Sequence, residues 1–171
     1  MIKRIAITGP ESTGKSELAE RLARHYNTVW VPEYAREYID NRTRPYDYED
    51  ILVIAKEQLK REEQLVRKAN NLLFCDTELI VTKIWCEVKF KKCHDWILKT
   101  IEQHTYDIYL LCKPDIQWKY DPQREDSETR EQLFQLYLNE LNERNLPYAI
   151  ISGTGEVRVK NAIKLIDSFE I

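Results

Sequence analysis

The stretch Gly9-Pro-Glu-Ser-Thr-Gly14-Lys15-Ser16 places two of the chain's four glycines five residues apart, with a lysine and a serine directly behind the second. This is the spacing of a loop that wraps an anion with its main-chain N–H groups. Glycine permits the unusual dihedrals and the close approach, and a helix beginning at Gly14 would aim its positive end at the same charge. A lysine here reaches the β- and γ-phosphates of a nucleotide, and the serine hydroxyl can ligate Mg²⁺. Gly9, Glu11, Ser12, Thr13, Gly14, Lys15 and Ser16 are therefore expected around a nucleoside triphosphate.

Phosphoryl transfer also needs acids and a closing cation. Asp76 follows the apolar run LLFC, where an acid can hold Mg²⁺ with Ser16 or polarise an attacking hydroxyl. It could instead cap the next helix, as could Thr77. Glu33, in TVWVPEYAREY, is a second acid on the same rim. Two carboxylates in different surroundings can divide metal binding from base catalysis, although Glu33 also reads as a surface acid near a helix start. Arg36, one turn on, could pair with it or touch a substrate. Residues 113–130 are polar, contain Pro114 and Pro122, and read as a flap carrying Lys113, Lys119, Arg124 and Arg130. Arg124 is the first choice for a cation over the γ-phosphate; the alternative is a solvated loop charge. The other two glycines, Gly153 and Gly155, follow the last apolar run. Gly153 and Thr154 are expected to contact adenine there, or else to form a plain strand-to-helix turn. Trp30, Tyr34, Trp85 and Trp118 could line a pocket for a flat, even cationic, ring, or pack in the core.

These groups must be held by regular elements. Strands are expected at 2–8, 28–31, 72–75, 107–112 and 148–151. Helices are expected at 14–26, 47–69, 127–144 and 156–169, with further helical segments from 77 to 103. The first helix would turn Leu18, Leu22 and His25 to one side. The second would bury Ile51, Leu52, Ala55, Leu59 and Val66 behind an Asp47 N-cap, with its other face charged. Strands alternating with helices imply βαβ units in one α/β domain of three layers, a parallel sheet covered on both faces.

The 171 residues are 43% hydrophobic and 32% charged, with a net charge of −3. That leaves no basic footprint for nucleic acid and no cationic amphipathic stretch for a membrane surface. No apolar run approaches the roughly 18 residues that span a bilayer, and MIKRIAIT is too short for a signal peptide. The expected compartment is the cytoplasm and the expected partner a small molecule. Cys75, Cys86, Cys93 and Cys112 form no CxxC. Cys93-His94 lacks a second pair at zinc spacing, so reduced structural thiols are expected.

A guanine-nucleotide switch would carry DxxG and NKxD. The acid here begins DTEL, and Cys112-Lys113-Pro114-Asp115 lacks the asparagine. A mechanical AAA-type machine usually needs a further helical lid domain, for which 171 residues leave little room. A small-molecule kinase remains, beside an ATP-binding regulatory module without its own substrate. GPESTGKS, WVPEYAREYI, IAKEQLKREE, FCDTELIVTKIWCEVKF, YDIYLLCKPDIQWKYDPQRED and LPYAIISG together resemble the ribosylnicotinamide kinase domain of bifunctional bacterial NAD-biosynthesis proteins, in the same order over nearly the whole chain. The resemblance implies a P-loop NTPase fold with a five-stranded parallel sheet in nucleoside-kinase-like order. It also implies ATP- and Mg²⁺-dependent phosphorylation of the ribose 5′-hydroxyl of nicotinamide riboside, giving nicotinamide mononucleotide. The residues carried over are Gly9, Gly14, Lys15, Ser16, Glu33, Asp76 and Arg124. The adenylyltransferase domain and the N-terminal DNA-binding segment of some family members are not expected in these residues, so regulation and channelling to NAD are not carried over. A kinase for another nucleoside or small alcohol stays open beside it.

Overall fold

The computed structural model describes residues 1–117 and 129–169; Trp118, Lys119 and Arg124 lie outside them. Along the chain run β1 (Lys3–Thr8), α1 (Lys15–His25), β2 (Trp30–Val31), α2 (Tyr34–Asp40), α3 (Tyr48–Leu65), a 3-10 turn (Val66–Lys68), β3 (Leu72–Asp76), α4 (Leu79–Phe90), α5 (Asp95–Gln103), β4 (Ile108–Cys112), α6 (Arg130–Glu143), β5 (Tyr148–Ile151) and α7 (Gly155–Ser168). The five strands form one sheet in the order β2-β3-β1-β4-β5, and every neighbouring pair is parallel.

Alternation along the strands divides the core. Ile5 and Ile7 of β1, Phe74 of β3 and Ile108, Leu110 and Cys112 of β4 face Leu18, Leu22, Val159 and Ile166 of α1 and α7. Ala6, Leu73, Cys75, Tyr109 and Leu111 face the opposite layer of Ile51, Ile80, Ile97 and Leu141 from α3, α4, α5 and α6. Successive strand side chains point to opposite faces, so a sheet covered on both sides needs near-continuous apolar strands. The expected three-layer α/β architecture is the one found.

The expected Asp47 cap is present as a capping box: Asp47 accepts the Asp50 N–H, and the Asp50 carboxylate accepts the Asp47 N–H. Some local expectations need correction. On α1 the stripe is Leu18, Ala19, Leu22 and Ala23, and His25 is exposed. The helical segments expected from 77 to 103 are found as α4 and α5, separated where Lys91 takes a left-handed conformation (φ 57). Helix α2 supplies the helix start near which the alternative reading of Glu33 placed it. The buried stripe of α3 includes Gln58 and Glu62, placed among its apolar residues by helical period.

Beyond the strands' first residues, Arg4 Nη1 lies 2.8 Å from Glu62 and 2.7 Å from Glu63, with His104 Nε2 2.8 Å from Glu62. The three ligand groups that converge there already surround a guanidinium. Among the described residues no helix is long and apolar enough to cross a membrane.

Candidate active site

The loop after β1 occupies the carboxyl end of the sheet, where ligands of open parallel sheets bind. Gly9 (φ 125) passes so near β4 that a Cβ would stand 2.9 Å from the Cys112 carbonyl oxygen. Gly14 (φ 75) caps α1 in the left-handed region. Lys15 folds back over the loop, its Nζ donating to the Gly9 carbonyl at 3.0 Å and the Pro10 carbonyl at 2.7 Å. The Thr13 hydroxyl donates to the Pro10 carbonyl at 2.7 Å, which leaves its N–H as the group Thr13 can offer an anion.

Three side chains outside the loop hold its outer wall. Arg158, 3% exposed on α7, donates to the carbonyls of Thr13 at 2.8 Å, Lys113 at 2.9 Å and Gly153 at 2.7 Å. It also pairs with Asp115, whose second oxygen accepts the Gly153 N–H at 2.7 Å. Arg130, at the start of α6, donates to the Ser12 carbonyl at 3.2 Å and the Ile116 carbonyl at 3.0 Å. Of the flap cations, Arg130 therefore stands against the loop, while Lys113 is exposed. Gly153 and Thr154 lie where the adenine contact is expected, but the Gly153 N–H is already taken by Asp115. Thr154 is the exposed N-cap residue of α7, without a side-chain cap bond.

The two acids stand in unlike surroundings. Asp76 is 1% exposed, and neither of its oxygens has a hydrogen-bond partner. Burial pushes its carboxyl up to about 6, and the Glu33 charge pushes the same way. The Ser16 hydroxyl, Lys15 and the Glu33 N–H lie near enough to favour the charged form, without satisfying either oxygen. Glu33 is half-buried at the N-cap of α2, does not cap it with its side chain, and lines a cavity. The cap of α4 is neither Asp76 nor Thr77, as the sequence allowed, but Glu78. Its carboxylate accepts the Ile80 N–H at 2.5 Å and the Thr8 hydroxyl at 2.8 Å, and burial pushes it up to about 7.

The cavity measures about 460 Å³. Gly9, Pro10, Glu11 and Lys15 form its phosphate-loop wall, Glu33 and Arg36 a second, and Tyr46, Trp85, Leu133 and Tyr137 are among the residues of a third. Trp85 Nε1 donates to the Tyr46 hydroxyl at 3.0 Å, and their rings meet edge to face at 4.9 Å. Of the four aromatics expected around a flat ring, Trp85 lines the cavity, Trp30 packs on the α1/α7 layer, and the Tyr34 ring lies 4.2 Å from the Arg61 guanidinium. Trp118 lies outside the described residues, as does Arg124. Tyr46 and Tyr137 carried no sequence signal: nothing local marks which of ten tyrosines reaches a cavity.

A family model described as an AAA domain (AAA_28) matches residues 4–158. The trifunctional NAD biosynthesis/regulator proteins NadR of Escherichia coli (strain K12) and Salmonella typhimurium (strain LT2) are each 28% identical over 153 residues. These matches cover 86% of this chain and 37% of the relatives, so the chain spans well under half of their length. Among solved structures, a NadR protein in complex with NR aligns with a TM-score of 0.86, and one in complex with NAD and AMP-PNP with 0.84. Both are 25% identical, covering 98% of this chain and 49% of that one. Deoxyadenosine kinase from M. mycoides shares the fold alone, at 13% identity over 97% of this chain and all of that one, with a TM-score of 0.65. These likenesses agree with a P-loop NTPase fold and with the nucleoside-kinase-like strand order. The family shares the AAA name with the machines set aside above; its matched span here is the phosphate-loop unit itself.

Proposed function

Because the chain belongs to this AAA-domain family, we propose that it is an ATP-dependent kinase for a small alcohol, with the ribose 5′-hydroxyl of nicotinamide riboside as acceptor and nicotinamide mononucleotide as product. One observation carries the reading. A single cavity has the phosphate loop and Lys15 on one wall, the Glu33 carboxylate on another and aromatic side chains on a third. That is the arrangement needed to bring a triphosphate, a base and a flat-ringed nucleoside together. The NadR relatives described with NR and with AMP-PNP support the same assignment of acceptor and donor.

ATP binding replaces the Lys15 bonds to Gly9 and Pro10 with bonds to phosphate oxygens, and the loop N–H groups of residues 11–14 close around the β-phosphate. Arg158 and Arg130 hold that loop from outside through its carbonyls. Glu33, facing the cavity, accepts the proton of the acceptor hydroxyl. The acceptor oxygen bonds to the γ-phosphorus as its bond to the bridging oxygen of ADP breaks. Arg124 is the proposed cation over the transferring group. Mg²⁺ fits this site: two buried, unpartnered Asp76 oxygens beside the Ser16 hydroxyl form a hard oxygen donor set. Ser16 and Asp76 would hold it, and it would supply charge neutralisation on the β- and γ-phosphates.

Release of ADP across a nucleoside panel tests this. Nicotinamide-riboside-dependent release is expected. Release with a different acceptor would reassign the substrate, and release independent of any acceptor would remove the kinase reading.

A further inference from the structure

The ladder between β2 and β3 pairs Trp30 with Phe74 and Val31 with Cys75, and then stops. The next rung would set Pro32 against Asp76, and proline has no N–H to give. Gln58 stands in its place. It is 5% exposed on α3, in the stripe that also buries Ile51, Ile54, Ala55 and the carboxylates Asp50 and Glu62. Its Nε2 donates to the Pro32 and Asp76 carbonyls, each at 3.2 Å, and its Oε1 accepts the Tyr34 N–H at 2.7 Å. Tyr34 opens α2, so that N–H would otherwise be one of the orphan donors of a helix start. A carboxamide can donate twice and accept at once, which no apolar residue in this stripe could do.

All three anchors belong to the acids of the proposed reaction. Pro32 and Tyr34 flank Glu33, and the second carbonyl is that of Asp76 itself. Gln58 itself does not line the cavity. We propose that Gln58 is a positioning residue that fixes the main chain of Glu33 against that of Asp76, and so sets the distance between the cavity-facing carboxylate and the buried one. This rests on the kinase reading above. Without the amide, the end of β2 and the start of α2 lose their tie to β3, and Glu33 is no longer held in register with the phosphate loop. Misplacement by about 1 Å can cost on the order of 100-fold in rate.

The test uses Gln58→Met, which keeps length and removes the amide, and Gln58→Glu, which keeps the acceptor and loses the donors. Active sites are counted by titration with a non-hydrolysable ATP analogue. For either variant, turnover per active site should fall about 10- to 100-fold, with affinity for the analogue within about threefold of the parent. In a Glu33→Gln background, adding Gln58→Met should lower turnover by less than about threefold more, because a residue acting through Glu33 has nothing left to position. A general packing defect would instead reduce the count of active sites and add its loss to that of Glu33→Gln. Parental turnover in both Gln58 variants, or fully additive losses, would overturn the proposal while leaving the kinase reading standing. A parent inactive on every acceptor would remove both.

Discussion

The Asp115 carboxylate, in the loop after β4, accepts the N–H of Gly153, in the turn after β5, at 2.7 Å. Its other oxygen pairs with Arg158, which in turn holds the Thr13 carbonyl. The acid of the string Cys112-Lys113-Pro114-Asp115 is thus built into a clasp joining three loops and is not held out toward a base.

Asp115→Ala should therefore loosen the loop without changing base preference. The expected result is a KM for ATP raised roughly 5- to 30-fold, as one to two bonds of about 1 kcal/mol each are lost, with the ATP-to-GTP ratio of kcat/KM preserved. Steady-state kinetics with both nucleotides would decide it. A selective change in GTP use would show that Asp115 reads the ring.

Lys15→Ala should leave far-UV circular dichroism and the unfolding midpoint close to the parent, since among the described residues Nζ bonds two loop carbonyls. Phosphoryl transfer should fall by about 100-fold or more, the scale of losing one preorganised charge-stabilising group. Unchanged turnover would remove the loop from the chemistry.

Gly9→Ala sets a methyl 2.9 Å from the backbone oxygen of Cys112 at a φ of 125. Main-chain atoms of a central strand cannot move aside, so the loop must shift. The expected cost is about 1–3 kcal/mol of stability together with loss of ATP-analogue binding by calorimetry. Parental affinity in a stable Gly9→Ala protein would mean that the loop tolerates the displacement.

Glu78 predicts a pH dependence. Burial raises its folded-state value to about 7 from the ordinary 4.5. Between those values the native state binds more protons than the unfolded one, so its stabilising contribution is full below about pH 4.5 and declines as pH rises toward 7. The decline is on the order of 3 kcal/mol, at about 1.4 kcal/mol for each pH unit. Glu78→Gln should remove it: relative to the parent, the variant's melting temperature should rise between pH 5 and pH 8. Parallel curves for the two proteins would show that Glu78 ionises in the native state as it does in water.

Arg4→Met removes the guanidinium bonded to Glu62, a carboxylate whose side chain is 2% exposed. Breaking one side of a buried pair costs about 3–5 kcal/mol. The bonds from His104 and Tyr106 to Glu62 should hold the loss toward the lower figure in urea unfolding. A loss below about 1 kcal/mol would place the pair among solvent-screened ones.

The chain by itself determined what is local. Residues 9–16 spell their own loop, because conformation and anion binding arise within eight neighbouring residues. The apolar runs of β1, β3 and β4 announced a sheet buried on both faces, and Asp47 announced the start of α3. The positions of Glu33 and Asp76 just past such runs marked them for attention. Tertiary structure decided everything that depends on partners distant in sequence. Gln58 lies 18 residues from Asp76, Arg158 lies 145 from Thr13 and Glu62 lies 58 from Arg4. On a helix rich in Lys and Glu, nothing separates a solvated polar residue from one that completes a strand ladder or balances a buried charge. Only the packing of the sheet order β2-β3-β1-β4-β5 sets those partners side by side, since hydrogen-bond need is local in chemistry but is met by whatever the fold brings near.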